Sequence, residues 1–372
     1  MSHAEYKSLA TSLTRREFFM GFVRPERLKN AAEFIGTTST FTSSAIAALI
    51  AYDLVRTTYE LRFPPSVNLE PFSSRASRYT SEQLRSTRLI TLGDSITSGF
   101  IDGEKANDPA VEYIAKTINK YGGDWGTILL AQGGATTFDT IKQIQSIRDR
   151  STVEAKAFWD TSCPNRTIVL SVGGDDLMKY LSDHEDWIRK IANSKGIGSY
   201  LQIPRLAHAI KNEVRSCRDR IVRILMELTD LKHEAAKKGI YINELVYEGI
   251  PQINSNKLGE MDLIWITDEK EKQACKKFLS ENPSSTQAAG RLSSMANNMI
   301  GDALRDYEFR MKGAGQDPLY ITAMDLYHML GSDQVGIIHP TRNGQKLIAE
   351  EYLLNRMKLR NNGQDMPVFI AA

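Results

Sequence analysis

The sequence predicts an α/β fold, a three-layer α/β/α sandwich around a five-stranded parallel sheet with an N-terminal helical extension in front of it. Two observations lead to this prediction. From residue 86 onward, short apolar runs rich in β-branched residues alternate with long helical patterns, which indicates parallel strands joined by crossover helices. In addition, three of the five predicted strands run into glycine-containing turns, at the end of an open sheet where functional sites lie.

The predicted elements follow one another regularly along the chain. Strands are expected at residues 88–92, 127–131, 167–172, 240–246 and 319–326. Helices are expected at 109–121, from 137 onward, at 209–231 and at 344–357, because apolar residues recur there at helical spacing. The charged and less regular stretch 253–294 is interpreted as an insertion between the fourth and fifth strands.

The composition is that of an ordinary globular protein. The 372 residues allow one large domain with additions or two modest domains, and 41% hydrophobic and 25% charged residues exclude a mostly disordered or fibrous chain. Lys and Arg number 47 against 45 Asp and Glu, so the chain lacks a bulk basic charge and no nucleic-acid partner is expected. The three cysteines are too few and too scattered for a disulfide framework, and neither CxxC nor HExxH occurs, so no zinc site of known spacing is expected.

Residues 1–85 differ from the rest and are interpreted as an N-terminal helical extension and linker before an α/β domain at 86–372. Arg15 and Arg16, followed closely by two phenylalanines, look like a twin-arginine export signal. Charged residues from Arg24 onward interrupt the apolar stretch that such a signal needs. A short amphipathic helix is therefore the other interpretation of this segment.

Residues 34–52 contain no charge, and these 19 residues come close to the ~20 that span a bilayer as a helix. Several are serine or threonine, however, and only 45–51 is continuously apolar. Two interpretations stay open: a single membrane anchor with the basic N-terminus on the cytoplasmic side, or a buried or interfacial helix that packs on the main domain. The protein is accordingly expected to be either membrane-associated or soluble. The serine-rich stretch 73–81 is predicted to be a linker.

A serine follows directly on the first predicted strand. Gly93 permits a tight turn that exposes the hydroxyl of Ser95, and the helix expected next would place this serine at its N-terminus. There the backbone N–H of Ser95 and the helix dipole would stabilise a developing oxyanion. The alternative interpretation of Ser95 is a simple helix cap.

A nucleophilic serine needs a base within hydrogen-bonding reach, and histidine is scarce in this chain. Of the six histidines, His208 and His233 lie in helical stretches and are interpreted as surface or packing residues. His339 is the favoured base, because a loop entering the last predicted helix can deliver its ring to the edge of the sheet. His328, just after the fifth predicted strand, is its competitor.

Taken together, the residues at the strand ends resemble the SGNH (GDSL) hydrolase family of esterases, lipases and carbohydrate-ester deacylases. The matching blocks are, in chain order, Gly93-Asp94-Ser95-Ile96, Gly134 with Ala135-Thr136-Thr137, Gly173-Gly174-Asp175-Asp176, and His339-Pro340. The resemblance covers residues 86–358 except the insertion, and it implies a flavodoxin-like SGNH-hydrolase fold without a cofactor. It also implies Ser95 as nucleophile, His339 as base, and an oxyanion hole formed by Ser95, Gly134 and the residue at position 175.

Two positions depart from the family pattern. Asp175 stands where the family has an asparagine that donates its amide to the oxyanion, whereas an ionised carboxylate only accepts hydrogen bonds. Burial beside Asp176 is expected to raise one carboxyl pKa and so to keep a protonated donor at lower pH. Gly336 occupies the position of the triad aspartate. Asp333 is a weak candidate for that role, and the alternatives are a backbone carbonyl that orients the ring and an Asp333 that only caps the loop.

Two functions of different classes follow from this pattern. The first is a serine ester hydrolase that acts by acyl transfer on an unidentified ester, either a lipid or an acylated small molecule or carbohydrate. The second is a catalytically degenerate protein of the same fold that acts as a structural or binding subunit with protein partners, in a membrane-associated complex. A divalent cation held by Asp175 and Asp176 is disfavoured, because no further carboxylate cluster stands at ligand spacing.

Overall fold

A computed structural model gives the architecture and describes residues 69–101, 107–184, 197–254, 283–336, 338–353, 357–361 and 364–367. The twin-arginine motif, the uncharged stretch 34–52 and most of the insertion 253–294 lie outside these residues, so their interpretations stay predictions. Within the described ranges, no helix is both long enough and apolar enough to cross a bilayer.

Two compact units divide the chain. The main unit comprises Pro64–Met178, Glu213–Lys257 and Ala289–Ala372, and it contains the strands of both sheets. In the smaller unit, the described residues are nearly all helical.

The described part of the chain begins with two short helices and a strand, α1 (Glu70–Ser73), β1 (Ser77–Tyr79) and α2 (Ser81–Arg85). The five strands of the main sheet are β2 (Ser86–Gly93), β3 (Asp124–Leu129), β4 (Asn165–Ser171), β5 (Tyr241–Glu248) and β6 (Ile321–Met324). The helices that connect these strands are α3 (Ala110–Lys120), α4 (Thr137–Asp149), α5 (Val153–Phe158), α6 (Gly174–Asp183), α7 (Ile197–Ala236) and α8 (Pro283–Gly313). The chain ends with α9 (Leu326–Met329), α10 (Arg342–Glu351), β7 (Met357–Asn361) and β8 (Gln364–Pro367).

The main sheet has the strand order β3-β2-β4-β5-β6, and all neighbouring strands are parallel. In chain order this is the 2-1-3-4-5 arrangement of flavodoxin-like doubly wound sheets. Because crossovers between parallel strands are right-handed, α3 lies on one face of the sheet, and α4 lies on the other with the main-unit parts of α7 and α8. The predicted three-layer sandwich around five parallel strands is thereby confirmed.

Strand β4, in the middle of the main sheet, is buried on both faces. All seven of its residues, Asn165–Ser171, are buried, so its apolar residues 168–170 follow one another without the polar alternation of a half-exposed strand. On one face, Val111 and Ile114 of α3 pack with Leu89 of β2 and Val169 of β4 around a shared cavity. Each buried side chain of this size contributes roughly 1.5–3 kcal/mol to folding, so these contacts fix the helix on the sheet.

The C-terminal end of the chain differs from the prediction. The helix predicted over 344–357 is α10, which ends at Glu351, and Met357 opens β7. Strand β7 pairs in parallel with β1 and antiparallel with β8. The result is a second sheet, of three strands in the order β1-β7-β8, that no sequence pattern predicted.

The linker prediction for residues 73–81 is wrong, because this stretch is a folded part of the main unit. Ser77 and Tyr79 are buried, and the hydroxyls of both bond the carboxyl group of Glu244 on β5. The hydroxyl of Tyr352 donates to the same carboxyl at 3.0 Å. Burial raises the pKa of Glu244, whereas these hydroxyl donors stabilise its ionised form. In this stretch Ser77 and Tyr79 are therefore hydrogen-bond donors to the buried Glu244, and the serine-rich composition does not indicate a linker.

Candidate active site

The turn that carries Ser95 depends on a glycine at the end of β2. Gly93 has a φ of +100°, and a Cβ built on it would lie 1.8 Å from the carbonyl oxygen of Ser171 on β4. Both the backbone conformation and this close approach therefore require glycine. The N–H of Asp94 donates to the same Ser171 carbonyl at 2.9 Å, so the chain stays bonded to β4 until it turns.

The sequence predicted that Ser95 begins an α-helix, and this prediction is wrong. Ser95 lies in a series of hydrogen-bonded turns. The N–H of Ser98 donates to the carbonyl of Asp94 at 3.1 Å, and the N–H of Phe100 donates to the carbonyl of Ser95 at 3.0 Å. The turns end at Gly99, whose φ is +73°, and the next helix, α3, begins only at Ala110. The helix that the sequence predicted to begin at Ser95, with its dipole, is therefore not formed.

A neighbouring helix holds the base of this turn. The side-chain oxygen of Gln143 on α4 accepts the N–H of Gly93 at 2.7 Å, and its amide nitrogen donates to the Gly93 carbonyl at 3.1 Å. Gln143 is buried, and sequence reasoning missed it because it lies 50 positions from its partner. The feature of the sequence that could have indicated Gln143 is its place as a polar residue on the buried side of an amphipathic helix.

His339 reaches Ser95 from the loop before α10. Its Nε2 lies 2.8 Å from the Oγ of Ser95, although the two residues are 244 positions apart. The ring of Phe100 packs edge-on against the imidazole with 4.9 Å between ring centroids. Phe100 belongs to the turn after Ser95 and was not predicted. The hydroxyl and the imidazole have the separation that a serine needs for activation by a base.

The competing histidine has a different partner. The Nδ1 of His328 lies 2.9 Å from the carboxylate of Asp325, which caps the short helix α9. The His328 side chain is 59% exposed at this position. The structure thus gives His328 a surface contact with Asp325 and places His339 beside the serine.

The loop between β3 and α4 brings Gly134 to the site. Gly134 has a φ of +75°, and open space surrounds the position that a side chain would take. At the neighbouring Gly133, an added Cβ would lie 3.9 Å from the Cβ of Ser95, which shows how closely the loop passes the serine. The loop ends in a capping box, in which Thr136 and Asp139 satisfy each other's backbone donors at the start of α4.

Asp176 ties three helices together beside this loop. Its buried carboxylate accepts the backbone N–H of Thr137 at 2.8 Å and the Thr137 hydroxyl at 2.6 Å. Arg220 of α7 donates to the same carboxylate at 3.1 Å and to Glu213 at 2.7 Å. The charge of Asp176 is therefore neutralised by Arg220. Arg220 was not predicted, and its one signal was a charged residue next to the buried Ile221 on an apolar helix stripe.

Asp175 has a different environment from its neighbour. Its Oδ2 atom is buried and has no hydrogen-bond partner among the described residues. Burial raises the pKa of Asp175 to about 6; a positive charge on His339 opposes this rise, and the negative charge of Asp176 adds to it. The expected increase in a carboxyl pKa thus falls on Asp175, with burial as its main cause. Below this pKa the carboxyl group carries a proton and can donate a hydrogen bond.

Asp94 in the turn and Glu248 at the end of β5 are two further, fully buried acids, and the charges of Asp175 and Glu248 both act on Asp94. Burial raises the pKa of Asp94 well above its usual value, and the charge of Asp175 raises it further. Burial raises the pKa of Glu248 to about 7. Glu248 also lines a cavity of about 10 Å³, which is room for one water molecule at most. Sequence reasoning did not anticipate Glu248.

The other residues discussed for the triad lie in the loop before His339. Gly336 donates its N–H to the carbonyl of His339 at 2.8 Å and has no side chain to offer the imidazole. Asp333 is exposed, and its carboxylate accepts the side-chain amide of Gln334 at 3.3 Å. Over the described residues, no group of three or more His, Cys, Asp or Glu side chains is arranged to hold a metal ion.

No family model and no curated protein sequence matches the chain. Among solved structures, the lipase Lip_vut3 from a goat rumen metagenome aligns with a TM-score of 0.37 and 13% identity over 72% of this chain and 95% of that chain. A lipase/acylhydrolase from Enterococcus faecalis aligns with a TM-score of 0.32 and 14% identity, over 71% and 91% of the two chains. The phospholipase A1 from Streptomyces albidoflavus NA297 aligns with a TM-score of 0.34 and 14% identity, over 72% and 98%.

The strand order, the glycine turn after β2 and the residues at the ends of β2, β3 and β4 are those that the sequence resemblance implied. The protein thus has the flavodoxin-like α/β fold that the sequence predicted.

Proposed function

We propose that the protein is a serine ester hydrolase. The observation that carries this proposal is the distance of 2.8 Å between the Oγ of Ser95 and the Nε2 of His339. In the proposed reaction Ser95 Oγ attacks the ester carbonyl while its proton passes to His339. His339 then protonates the departing alcohol, and an acyl group stays on Ser95. A water molecule, deprotonated by the same imidazole, releases the acid and restores the serine.

The negative charge that develops on the carbonyl oxygen needs hydrogen-bond donors. The backbone N–H groups of Ser95 and Gly134 are the proposed donors, and the positive φ and open surroundings of Gly134 support its part. Asp175 in its protonated form is the proposed third donor. The loss of one such donor typically slows acyl transfer by about 10²–10³-fold, so the protonation of Asp175 decides much of the rate.

The positive charge that develops on His339 also needs compensation. In a serine protease triad, replacement of the aspartate by asparagine costs about 10⁴ in rate. Gly336 supplies no carboxylate here, and the exposed Asp333 is engaged with Gln334. We therefore assign Asp333 no catalytic part and expect a slower enzyme than one with a complete triad.

The chemistry of the site indicates the bond that is cleaved, a carboxylic ester. Attack by a serine with a histidine base suits carboxylic esters, so a lipid and an acylated small molecule or carbohydrate both stay candidates. The mechanism needs no metal and no organic cofactor. Contact with a membrane through residues 34–52 is a separate proposal that the ester chemistry does not require.

The glycine at position 336 and the acid at position 175 favour a second candidate, a non-catalytic binding or structural subunit. One experiment separates the two functions: hydrolysis of p-nitrophenyl acetate and labelling by a fluorophosphonate probe, compared between wild type and Ser95→Ala. A matched control is Ser151→Ala, which removes an exposed serine hydroxyl at the end of α4. The hydrolase proposal expects Ser95→Ala to lose both activities and Ser151→Ala to keep them. Equal behaviour of wild type and Ser95→Ala would favour the binding subunit.

A further inference from the structure

A large aromatic side chain is exposed next to the proposed oxyanion loop. Phe138 is the second residue of α4, four positions after Gly134, and 57% of its surface is accessible to solvent. The capping box of Thr136 and Asp139 fixes the first turn of this helix. The ring is thus presented from the first turn of a helix that begins three residues after Gly134.

One side of the Phe138 ring is occupied by Arg220, whose guanidinium carbon lies 4.8 Å from the ring centroid. The Nε of Arg220 donates to the hydroxyl of Thr137 at 2.7 Å, and Nη1 donates to Ser216 at 2.6 Å. Nη2 donates to the carboxylates of Asp176 and Glu213 described above. Because every guanidinium nitrogen is engaged, Arg220 is a fixed support for the ring.

The charges around the ring exclude charged ligands. Arg220 faces two carboxylates, and Lys142, the nearest cation along α4, pairs with Asp139 at 2.9 Å. An anionic group near Phe138 would therefore find only cations that are already paired with carboxylates, and those carboxylates would repel it. A cationic group on the free face of the ring would be repelled by the guanidinium of Arg220, which lies 4.8 Å from the ring centroid on the other side. The exposed part of the ring is suited to a neutral group.

We propose that Phe138 binds a neutral ring of the substrate, either an aromatic ring or the apolar face of a sugar ring, next to the ester bond. Flat groups stack on a fixed aromatic ring without a large loss of conformational freedom. This proposal deepens the proposed hydrolase function and rests on it for the position of the ester. Phe138 is therefore a specificity residue of that function.

The test compares esters with and without a ring on wild type and Phe138→Ala. Benzyl acetate and ethyl phenylacetate carry an aromatic ring on either side of the ester, an acetylated methyl xyloside carries a sugar ring, and ethyl acetate carries none. Loss of one stacking contact lowers kcat/KM for ring-bearing esters by about three- to tenfold, mainly through KM. The rate with ethyl acetate is expected to change less than about twofold, since that ester makes no stacking contact.

Two further variants control this test. Phe138→Tyr keeps the ring and is expected to behave as wild type. Phe309→Ala removes a phenylalanine that is 78% exposed on α8 and is expected to change none of the four rates. An equal loss with all four esters in Phe138→Ala, or no loss with any ring-bearing ester, would overturn the proposal.

A binding measurement separates failure of this proposal from failure of the hydrolase function. The dissociation constant of benzyl acetate and of the xyloside is measured by NMR titration on Ser95→Ala with and without Phe138→Ala. Weaker binding of a ring-bearing ester in the double variant supports the Phe138 contact even if wild type hydrolyses no ester. Unchanged binding of both overturns it, whatever the state of Ser95.

Discussion

The side-chain amide of Gln143 makes two hydrogen bonds to the backbone of Gly93, accepting its N–H and donating to its carbonyl. Gly93 is the last residue of β2, two positions before Ser95. The buried side chain of Gln143 therefore hydrogen-bonds helix α4, which follows the oxyanion loop, to the end of strand β2, which precedes the serine. We expect this contact to help hold Ser95 and Gly134 in position.

Replacement of Gln143 by leucine tests this contact. The variant leaves the buried N–H of Gly93 without its acceptor, which typically costs about 1–3 kcal/mol of stability. Urea unfolding is expected to show this loss, and ester hydrolysis is expected to slow because the serine turn is no longer held to α4. Gln145→Leu, at an exposed position on the same helix, is the control. Equal stability of the two variants would show that the Gly93 contact does not contribute.

The second prediction concerns the protonation of Asp175. Its pKa of about 6 means that the donor form is lost as the pH rises through that value. The rate of wild type is therefore expected to fall above pH 6, although His339 acts as a base only in its neutral form. Asp175→Asn supplies an amide donor at every pH, so its rate at pH 8 is expected to exceed that of wild type by about 10²-fold.

The pH–rate profiles of wild type, Asp175→Asn and Asp175→Ala check this prediction. The alanine variant removes the charge without adding a donor, so it separates these two effects. If asparagine and alanine both slow the reaction at pH 8, the carboxylate itself is needed, as a counter-charge for His339. That result would contradict the assignment of Asp175 to the oxyanion hole.

Much of the fold was predictable because its signals are local. The central strands β2, β4 and β5 are largely buried and contain short apolar runs, and Gly93 at the end of β2 marks a turn that no other residue permits. The second sheet could not be predicted in this way. Strand β1 has three residues, two of them polar, and its burial depends on Glu244, which lies 167 positions away from Ser77.

The site was predictable where residue type alone restricts the choice. His339 lies in the loop directly before the last helix, and the family resemblance assigned its role. Phe100, Gln143 and Arg220 were missed, because their importance comes from partners on other elements. The predicted helix at Ser95 was wrong for a similar reason, because the turn depends on contact with another segment. Gly99 packs against the backbone of Pro109 with no room for a side chain.

Glu248 leads to a prediction about stability. Its pKa of about 7 in the fold lies above the ordinary value of 4.5, so the folded state binds more protons than the unfolded state between these values. Stability is consequently lost as the pH rises from 4.5 to 7, by about 3 kcal/mol from this residue. Glu248→Gln removes the ionisation and is expected to be more stable than wild type at pH 8.

Urea unfolding of Glu248→Gln and wild type at pH 5 and pH 8 measures this difference. The gain should be small at pH 5 and should approach the full value at pH 8. Glu350→Gln, at an exposed position on α10, is expected to alter stability little at either pH. A Glu248→Gln variant that is destabilised by the same amount at both pH values would contradict the prediction.

The last prediction compares two arginines of α7 that lie three positions apart. The Arg220 side chain is 14% exposed and pairs with Asp176, whose side chain is 2% exposed, whereas Arg223 is 66% exposed and lies 3.9 Å from Glu227. Removal of one partner from a buried ion pair typically costs about 3–5 kcal/mol, because the other charge is left uncompensated. An exposed pair contributes about 0–1 kcal/mol.

Arg220→Met is therefore expected to lower the free energy of unfolding far more than Arg223→Met in urea titrations. Asp176→Asn in the Arg220→Met background removes the uncompensated charge and should restore part of the stability. If the loss came only from the packing of the Arg220 side chain against Phe138, the second substitution would restore nothing. Partial recovery in the double variant would identify the charge of Asp176 as the reason that α7 carries a buried arginine beside the oxyanion loop.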